Sequence, residues 1–307
     1  TLLRRVGRVI EALDAYAESI AVFQRVGARR MEARAKSSLS FSLYVLGRYE
    51  DGITLAHEAM QIDMAIGGRF QIAKTLANIG LCYAGAGGYE RGLEYLRRAR
   101  EAHERYGERD SRADTLLATA EVLLERGEID EANSLAGDAA ALIQVTESRY
   151  DAIHERLLRA LLARARGRAQ EAVVRAQEAR QAAEAQAYAA FHFYAMAIEA
   201  IARVEIGETH TGILLSTTAL GAIEAIQGSE YSLQTRSLCV EALERAGSPQ
   251  ASEMRRRSAK FVQERADGLR DPNLWRAFLE RPPVVNLLQT PPESVGSRHP
   301  FGSISGE

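Results

Sequence analysis

Residues 47–52 read Gly-Arg-Tyr-Glu-Asp-Gly, and related segments return at 87–92 as Gly-Gly-Tyr-Glu-Arg-Gly and at 127–132 as Gly-Glu-Ile-Asp-Glu-Ala. Their first glycines belong to a series with a constant spacing of 40 residues, namely Gly7, Gly47, Gly87, Gly127, Gly167, Gly207 and Gly247. Chance does not explain six equal steps. The chain is therefore built from an internal repeat.

Small residues follow the same period at other positions. Twelve residues after each glycine stand Ser19, Ala59, Ala99, Ala139, Ala179, Ala219 and Ala259. A glycine after an apolar-periodic stretch ends a helix, because it adopts the left-handed conformation at little cost. Small residues at fixed offsets allow two helix backbones to approach closely. Each period therefore predicts a helix A, a tight turn at glycine and a helix B.

The composition agrees with a chain that is helical nearly throughout. The sequence contains 51 Ala among 307 residues, and only Pro249 of the seven prolines lies before residue 271. We predict an opening helix near 8–26, followed by the pairs 31–46 with 49–66, 70–86 with 89–106, 110–126 with 129–146, 149–166 with 169–186, 188–206 with 209–227, and 230–246 with 249–268. One pair cannot bury its apolar face alone. We therefore expect about six to seven pairs to stack into an all-α, right-handed superhelix over residues 1–268.

The C-terminal residues form two further regions. Asp271 before Pro272 is a plausible helix start, and Trp275, Phe278 and Leu279 form an apolar stripe. We expect a short capping helix within 269–289 that covers the last repeat. Residues 290–307 contain Pro, Ser and Gly and few large apolar residues, which predicts a disordered tail.

Bulk properties exclude several classes of function. The net charge of −2 shows no basic surplus for nucleic acid. The longest mostly apolar stretch, 188–202, is shorter than the roughly 20 residues that a membrane helix needs. Two cysteines give no disulfide framework, which favours a reducing, cytoplasmic location. The start at Thr1 suggests a piece of a longer protein.

No motif for catalysis, cofactor binding or metal binding is predicted. The glycines at 85–92 superficially resemble a phosphate loop, but no strand precedes them and no Lys-Ser/Thr follows. No histidine has a partner at helical metal-ligand spacing, and no Ser-His-Asp order is present. We therefore expect the chain not to be an enzyme and to bind neither a cofactor nor a metal.

The repeat resembles the tetratricopeptide repeat. That family has a small residue in helix A, glycine at the A–B turn, a bulky residue two positions later and alanines in helix B. The likeness weakens where Ala169, Thr209 and Pro249 replace the bulky residue. The period exceeds the usual 34 residues, and HEAT and armadillo repeats also have periods near 40, although the small-residue columns favour the tetratricopeptide type. The array is also similar to the C-terminal helical regions of large bacterial Ser/Thr kinase–ATPase and MalT-like regulators.

This resemblance implies that A helices line a concave groove for a protein or peptide partner. Counting back from the turn glycines transfers the groove positions of the family to Arg34, Phe41, Tyr44, Lys74, Asn78, Leu81, His154, Leu161, Arg164, Tyr194 and Gln234. The clamp that other members use for a C-terminal carboxylate is not expected, because Ser37 and Phe41 occupy its positions. The groove residues combine cations with aromatics, which suits an extended peptide or a helix.

Two functional hypotheses follow. The first is a noncatalytic interaction and regulatory module of a larger bacterial signalling protein. The alternative is a small-ligand sensor domain, which is suggested by the aromatic group Tyr188, Phe191, Phe193 and Tyr194. Self-association stays open, and no nucleic-acid or membrane partner is expected.

Overall fold

The computed structural model describes residue 3, residues 7–226 and residues 228–289, and this part of the chain is all-α, without a strand. It contains fifteen helices: α1 (Val9–Arg25), α2 (Arg29–Val45), α3 (Tyr49–Ala65), α4 (Arg69–Gly85), α5 (Tyr89–Tyr106), α6 (Arg109–Glu125), α7 (Ile129–Thr146), α8 (Arg149–Ala165), α9 (Ala169–Ala185), α10 (Ala189–Glu205), α11 (Thr209–Ala225), α12 (Ser232–Arg245), α13 (Ala251–Asp267), α14 (Pro272–Leu279) and α15 (Pro282–Leu288). Helices α2 to α13 form six consecutive A–B pairs. The predicted right-handed superhelix is confirmed, and each predicted end of its helices lies within two residues of the observed one.

The turn glycines have the conformation that the period predicts. All seven have positive φ, between 63° and 89°, which is the left-handed region that glycine adopts without a steric penalty. The B–A turns follow the same rule at Gly27, Gly67 and Gly107. In the next two B–A turns, Glu147 and Ala187 hold this conformation with φ values of 55° and 53°.

The small-residue columns mark the places where paired helices cross. Ala59, Ala99 and Ala139 are fully buried. A Cβ atom added to Gly92 would lie 3.0 Å from the backbone oxygen of Gly80 on the partner helix. Larger side chains at these positions would separate the helices, so the columns are a packing requirement.

The C-terminal segment contains two short helices where the sequence predicted one, because Pro282 and Pro283 start a new helix directly after α14. We call residues 268–289 the cap. The cap covers more than the last repeat. Phe278 is fully buried in a cluster with Val262 from α13, with Tyr49 from the first A–B pair and with Ala86 from the second. The superhelix therefore closes on itself.

The apolar stripe of the cap differs from the prediction at one position. Leu274 and Phe278 are buried, and Leu279 packs against the same cluster. Trp275 is 40% exposed, because it lies at the edge of the buried face of this helix, turned by about 100° from Leu274 around the axis.

Polar contacts fasten the cap to the N-terminal half. Glu50 accepts hydrogen bonds from the backbone N–H groups of Arg270 and Asp271, each at 2.8 Å, and its carboxylate also lies 3.0 Å from the Arg270 guanidinium. The Arg281 guanidinium donates to the Gly85 carbonyl oxygen at 2.6 Å. These contacts join residues that are about 200 positions apart in the sequence.

Gly87 makes the docking of the cap possible. A Cβ atom at this position would overlap the carbonyl group of Ala277. The residue is therefore required both for the positive φ of its turn and for the close approach of α14.

Two further expectations concern the C-terminal tail and membrane-spanning helices. The predicted disordered tail, 290–307, lies outside the described residues. Within the described part of the chain, no helix is both long enough and apolar enough to span a bilayer.

Candidate functional site

The closed superhelix has two adjoining cavities on its inner side, and both are partly open to solvent. The cap-side cavity has a volume of about 430 Å³ and is lined by residues from all six A helices and by cap residues such as Arg281 and Pro282. The N-terminal-side cavity has a volume of about 330 Å³ and lies against α1, α2, α4, α6 and α8. Both volumes are in the range in which proteins bind small ligands.

The structure brings ten of the eleven predicted groove residues to these cavities. Phe41, Lys74, Asn78 and His154 line the N-terminal-side cavity, Leu161, Arg164, Tyr194 and Gln234 line the cap-side cavity, and Tyr44 and Leu81 line both. Arg34 lines neither cavity and is exposed. Binding of a partner by these residues remains a prediction.

Asn78 already has a structural partner. Its side-chain amide donates to the Ser37 carbonyl oxygen at 2.7 Å and is 3% exposed. The side chain thus links α4 to α2, so its contribution to a ligand site is to fix the wall of the cavity.

The two cavities meet at a region that we call the waist. It is formed by the residues that line both cavities, which are Tyr44, Leu81, Ala118, Glu121 and Tyr231. Tyr231 has a φ of 65°, an unfavourable value for a bulky residue, and it precedes α12. Its ring stacks on Tyr194 with the centroids 4.5 Å apart and the planes 7° from parallel.

A buried ion pair lies beside the waist. The Nε2 atom of His154 is 2.9 Å from Glu121 Oε1 and 3.2 Å from the Tyr231 hydroxyl. Burial lowers the pKa of His154, but the Glu121 carboxylate outweighs this effect and, with Asp114 and Glu230, raises the pKa to about 9. The imidazole is therefore protonated at neutral pH.

The charged groups of the cap-side cavity are paired with one another. The Arg281 guanidinium holds the Glu125 carboxylate with two contacts, at 2.7 and 2.9 Å. Arg164 lies 2.6 Å from Glu241 and 3.0 Å from Glu205. Leu161 and Leu238, together with Pro282, give this cavity an apolar wall.

The predicted groove residues combine cations with aromatics and include no carboxylate. Carboxylates also line the cavities, and those of Asp114, Glu121 and Glu241 were missed. The signal was present in the sequence. Counting back 13 and 6 residues from Gly127 gives Asp114 and Glu121, and counting back 6 from Gly247 gives Glu241. Tyr231 and Arg281 lie outside the repeat period and had no such signal.

The predicted aromatic group divides between the core and the cavity. Phe191 is 1% exposed and belongs to a core cluster, and Phe193 packs against another cluster. Tyr188 contacts the ring of Tyr150. Among the described residues of this group, Tyr194 alone lines a cavity.

Both cysteines are fully buried, and burial raises their thiol pKa values, that of Cys239 to about 12. Within the described residues, no group of three or more His, Cys, Asp or Glu side chains has an arrangement that could hold a metal ion.

Comparison with known proteins supports the tetratricopeptide type of repeat. Residues 71–144 match the family model described as tetratricopeptide repeat. No curated protein sequence matches the chain. The solved structure of a Rap protein complexed with competence and sporulation factor has 11% identity and a TM-score of 0.57, with 92% of this chain and 98% of that chain covered. A tetratricopeptide repeat protein from Parabacteroides merdae has 12% identity and a TM-score of 0.46, with 92% and 93% covered.

At these identities the likeness to solved structures concerns the fold alone. The family match includes α4, the helices α5 and α6, and most of α7, so two consecutive A–B pairs carry the repeat signature. The other pairs also have helices of 17 residues, except for α12 with 14, and each has a glycine with positive φ at its A–B turn. The matched segment is therefore similar to tetratricopeptide repeats.

Proposed function

We propose that this chain is a noncatalytic regulatory module that binds a short peptide segment inside its superhelix. The observation that carries the proposal is the cavity inside the superhelix, which all six A helices and the cap line. Tetratricopeptide arrays generally mediate protein–protein interaction, and the Rap protein of similar fold was solved with competence and sporulation factor bound. The partner would bind as an extended segment because the closed interior has no room for a folded domain.

The resemblance to helical arrays of bacterial signalling proteins supports a wider role. We propose that the array belongs to a larger bacterial signalling protein in the cytoplasm, with ligand binding as its input. In that setting, a change in the occupancy of the cavities would be transmitted through the cap, since cap residues line the cap-side cavity and Arg281 also binds Gly85 of α4 and Glu125 of α6.

The small-ligand alternative is favoured by a specific observation as well. Cavities of about 430 and 330 Å³ are of the size that metabolites and drug-sized molecules fill. The peptide proposal is preferred because the two cavities adjoin at the waist, so that an elongated ligand would contact both.

A blocking variant tests the proposal. Ala118 lines both cavities, so Ala118→Phe would fill the waist, whereas Ala185→Phe adds the same ring to the exposed surface of α9. We expect a library of random hexapeptides to contain ligands for the wild-type protein and for Ala185→Phe, with binding reduced at least tenfold in Ala118→Phe. Equal binding by all three proteins would contradict the proposal that the ligand binds in the interior of the superhelix. A metabolite set that shifts the melting temperature of the wild type, with no peptide binding, would favour the small-ligand alternative.

A further inference from the structure

The wall of the cap-side cavity is largely apolar. Side chains from α4, α6, α8, α12 and the cap contribute to it, namely Leu81, Val122, Leu124, Leu161, Leu238 and Pro282. Burial of apolar ligand surface against such a wall is favourable, because water is released from both surfaces. The cavity has a volume of about 430 Å³, and a cavity of about 150 Å³ is already enough for benzene. There is therefore room for more than one apolar side chain.

The ionic groups of this cavity have partners within the protein. Among the described residues, the charged side chains that line it are Glu121, Glu125, Arg164, Glu241 and Arg281. Arg281 holds Glu125 with contacts of 2.7 and 2.9 Å, and Arg164 lies 2.6 Å from Glu241. Glu121 lies 2.9 Å from the Nε2 atom of His154. Each of the five charges is thus opposed by a charge of the other sign.

A charged ligand group would gain little in this cavity, whatever its sign. Entry into a partly buried site removes water from the charge, and only a counter-ion offsets that loss. A new ion would have to separate Arg281 from Glu125 or Arg164 from Glu241, which leaves another buried charge without its partner. The wall therefore disfavours ammonium and carboxylate groups alike.

The other polar groups of the wall are uncharged, and some are bonded within the protein. The Asn286 side-chain amide donates to the Ser237 hydroxyl at 2.8 Å and to the Ser237 carbonyl oxygen at 3.0 Å. The Tyr89 hydroxyl donates to Glu125. Gln234 adds an amide, which both donates and accepts. Neutral groups of this kind suit the backbone of a ligand but do not favour a charged side chain.

We infer that the cap-side cavity is a specificity site for uncharged, apolar side chains of the peptide ligand, such as those of leucine or phenylalanine, and that it rejects side chains of either charge. This inference rests on the proposed function and adds the side-chain chemistry of the ligand. Rejection of both signs follows from the pairing of the ionic groups within the wall. It distinguishes this site from one that attracts a charged ligand.

Four matched hexapeptide libraries test this inference. Each is acetylated and amidated so that its termini are uncharged, and each joins four randomised residues, drawn from Ala, Ser, Thr and Asn, to a pair of Leu, Gln, Lys or Glu residues. We expect the Leu library to bind the full chain at least tenfold more tightly than the Gln library, because burial of a single leucine side chain accounts for a factor of this size. The Lys and Glu libraries should both bind more weakly than the Gln library. The order should be the same at about 50 and about 500 mM salt, because it does not depend on an attraction that salt screens.

Two matched variants connect the preference for Leu to the cavity. Leu161→Asn places an amide in the apolar wall, whereas Leu214→Asn makes the same change on α11 at a residue that is 58% exposed and lines neither cavity. We expect Leu161→Asn to reduce the preference for Leu over Gln at least threefold and Leu214→Asn to leave it unchanged. Circular dichroism verifies that both variants are folded.

A third variant tests the pairing of charges without changing the apolar wall. Glu125→Gln keeps the shape of the side chain but leaves the Arg281 guanidinium without a carboxylate. We expect the affinity of the Glu library relative to the Gln library to rise at least fivefold in this protein, whereas the Lys library should not gain. The absence of a gain by the Glu library would show that the internal pairs are not what excludes charge.

The outcomes separate this inference from the proposal on which it rests. Tightest binding by the Lys or the Glu library, or a preference for Leu that survives in Leu161→Asn, overturns the assigned chemistry of the cap-side cavity but keeps the interior peptide site. Absence of binding by these four libraries overturns this inference, and it overturns the proposed function as well if random hexapeptides also fail to bind.

Discussion

Two residues of this array hold a backbone conformation for which their type is poorly suited. Glu147 and Ala187 have φ values of 55° and 53° in turns where the equivalent residue of earlier repeats is Gly27, Gly67 or Gly107. The left-handed conformation costs a residue with a Cβ atom roughly 1 kcal/mol relative to glycine. Both side chains are exposed, so removing them creates no cavity.

We therefore expect Glu147→Gly and Ala187→Gly to stabilise the fold by about 0.5–1 kcal/mol each, less than the full strain because glycine also loosens the unfolded chain. Urea unfolding followed by circular dichroism measures the change. The reverse change at an equivalent turn, Gly107→Ala, should destabilise, since a Cβ atom there meets no neighbour and the φ of 73° is the only obstacle. Destabilisation by both glycine variants would show that these turns are not strained.

Asp63 also lowers the stability of the fold at neutral pH. Its side chain lies in α3, is 1% exposed, and its Oδ2 atom has no hydrogen-bond partner among the described residues. Burial raises its pKa to about 6, against a weaker opposing effect of Arg30. Because the folded-state pKa exceeds the unfolded one, this group favours folding below pH 4, and that contribution is lost as the pH rises through 6.

Asp63→Asn should therefore stabilise the protein at pH 7.5, by roughly 3 kcal/mol at most for a pKa difference of this size. The gain should vanish near pH 3, where the aspartate is largely protonated in both states. Urea unfolding at the two pH values tests this, with Asp14→Asn on the exposed face of α1 as the control. A gain that does not depend on pH would exclude ionisation as the cause.

At the scale of the helical elements, the cap and the array meet at Gly87. Gly87 and Gly127 occupy equivalent turns with φ values of 83° and 85°, but only the first is covered by α14. An alanine at either position costs about 1–2 kcal/mol of stability, because its backbone would have to adopt the left-handed conformation. At Gly87 it also overlaps the backbone of Ala277.

We expect Gly87→Ala to displace the cap and Gly127→Ala to leave it in place. Hydrogen exchange of the backbone amides of residues 272–288 measures this directly, and exchange should accelerate in Gly87→Ala alone. The first variant should also lose more unfolding free energy than the second, and this difference reports the docking of α14 and α15. Equal exchange in the two variants would contradict the close approach at Gly87.

The sequence was sufficient to predict the helices and most of the residues that line the cavities. Helix ends depend on local features such as Gly47 and its equivalents, which the period displays. The cavity wall follows from the helical repeat, so Tyr44, Leu161 and Tyr194 could be located by counting. The position of the cap could not be predicted, because it depends on how far the superhelix turns over six pairs. The total rotation of the superhelix is the sum of small angles between successive pairs, and no single residue determines that sum.

At the scale of the whole molecule, closure changes how the array should unfold. In an open solenoid each repeat contacts only its neighbours, so the ends can unfold independently. Here Arg265 donates to the Val45 carbonyl oxygen at 3.0 Å, and Arg281 binds Glu125 and Gly85. The two ends are therefore joined, and they should unfold as one cooperative unit.

Replacing Arg281 with Met tests this coupling of the ends. Arg281 is 4% exposed and Glu125 would remain without its guanidinium, a loss that costs about 3–5 kcal/mol for a buried pair. We expect Arg281→Met to open the closed superhelix, which small-angle X-ray scattering would record as a larger radius of gyration. We also expect the single urea unfolding transition to divide into two. Arg175→Met breaks an exposed pair with Glu171 on α9 and should cost less than about 1 kcal/mol with no change in size. The double variant Arg281→Met, Glu125→Gln should recover part of the lost free energy of unfolding, because it removes the unpaired charge. It should still unfold in two steps, because the contact between the cap and α6 is absent. A single transition and an unchanged radius of gyration in both Arg281 variants would mean that the apolar packing of Phe278 against Tyr49 is sufficient to keep the superhelix closed.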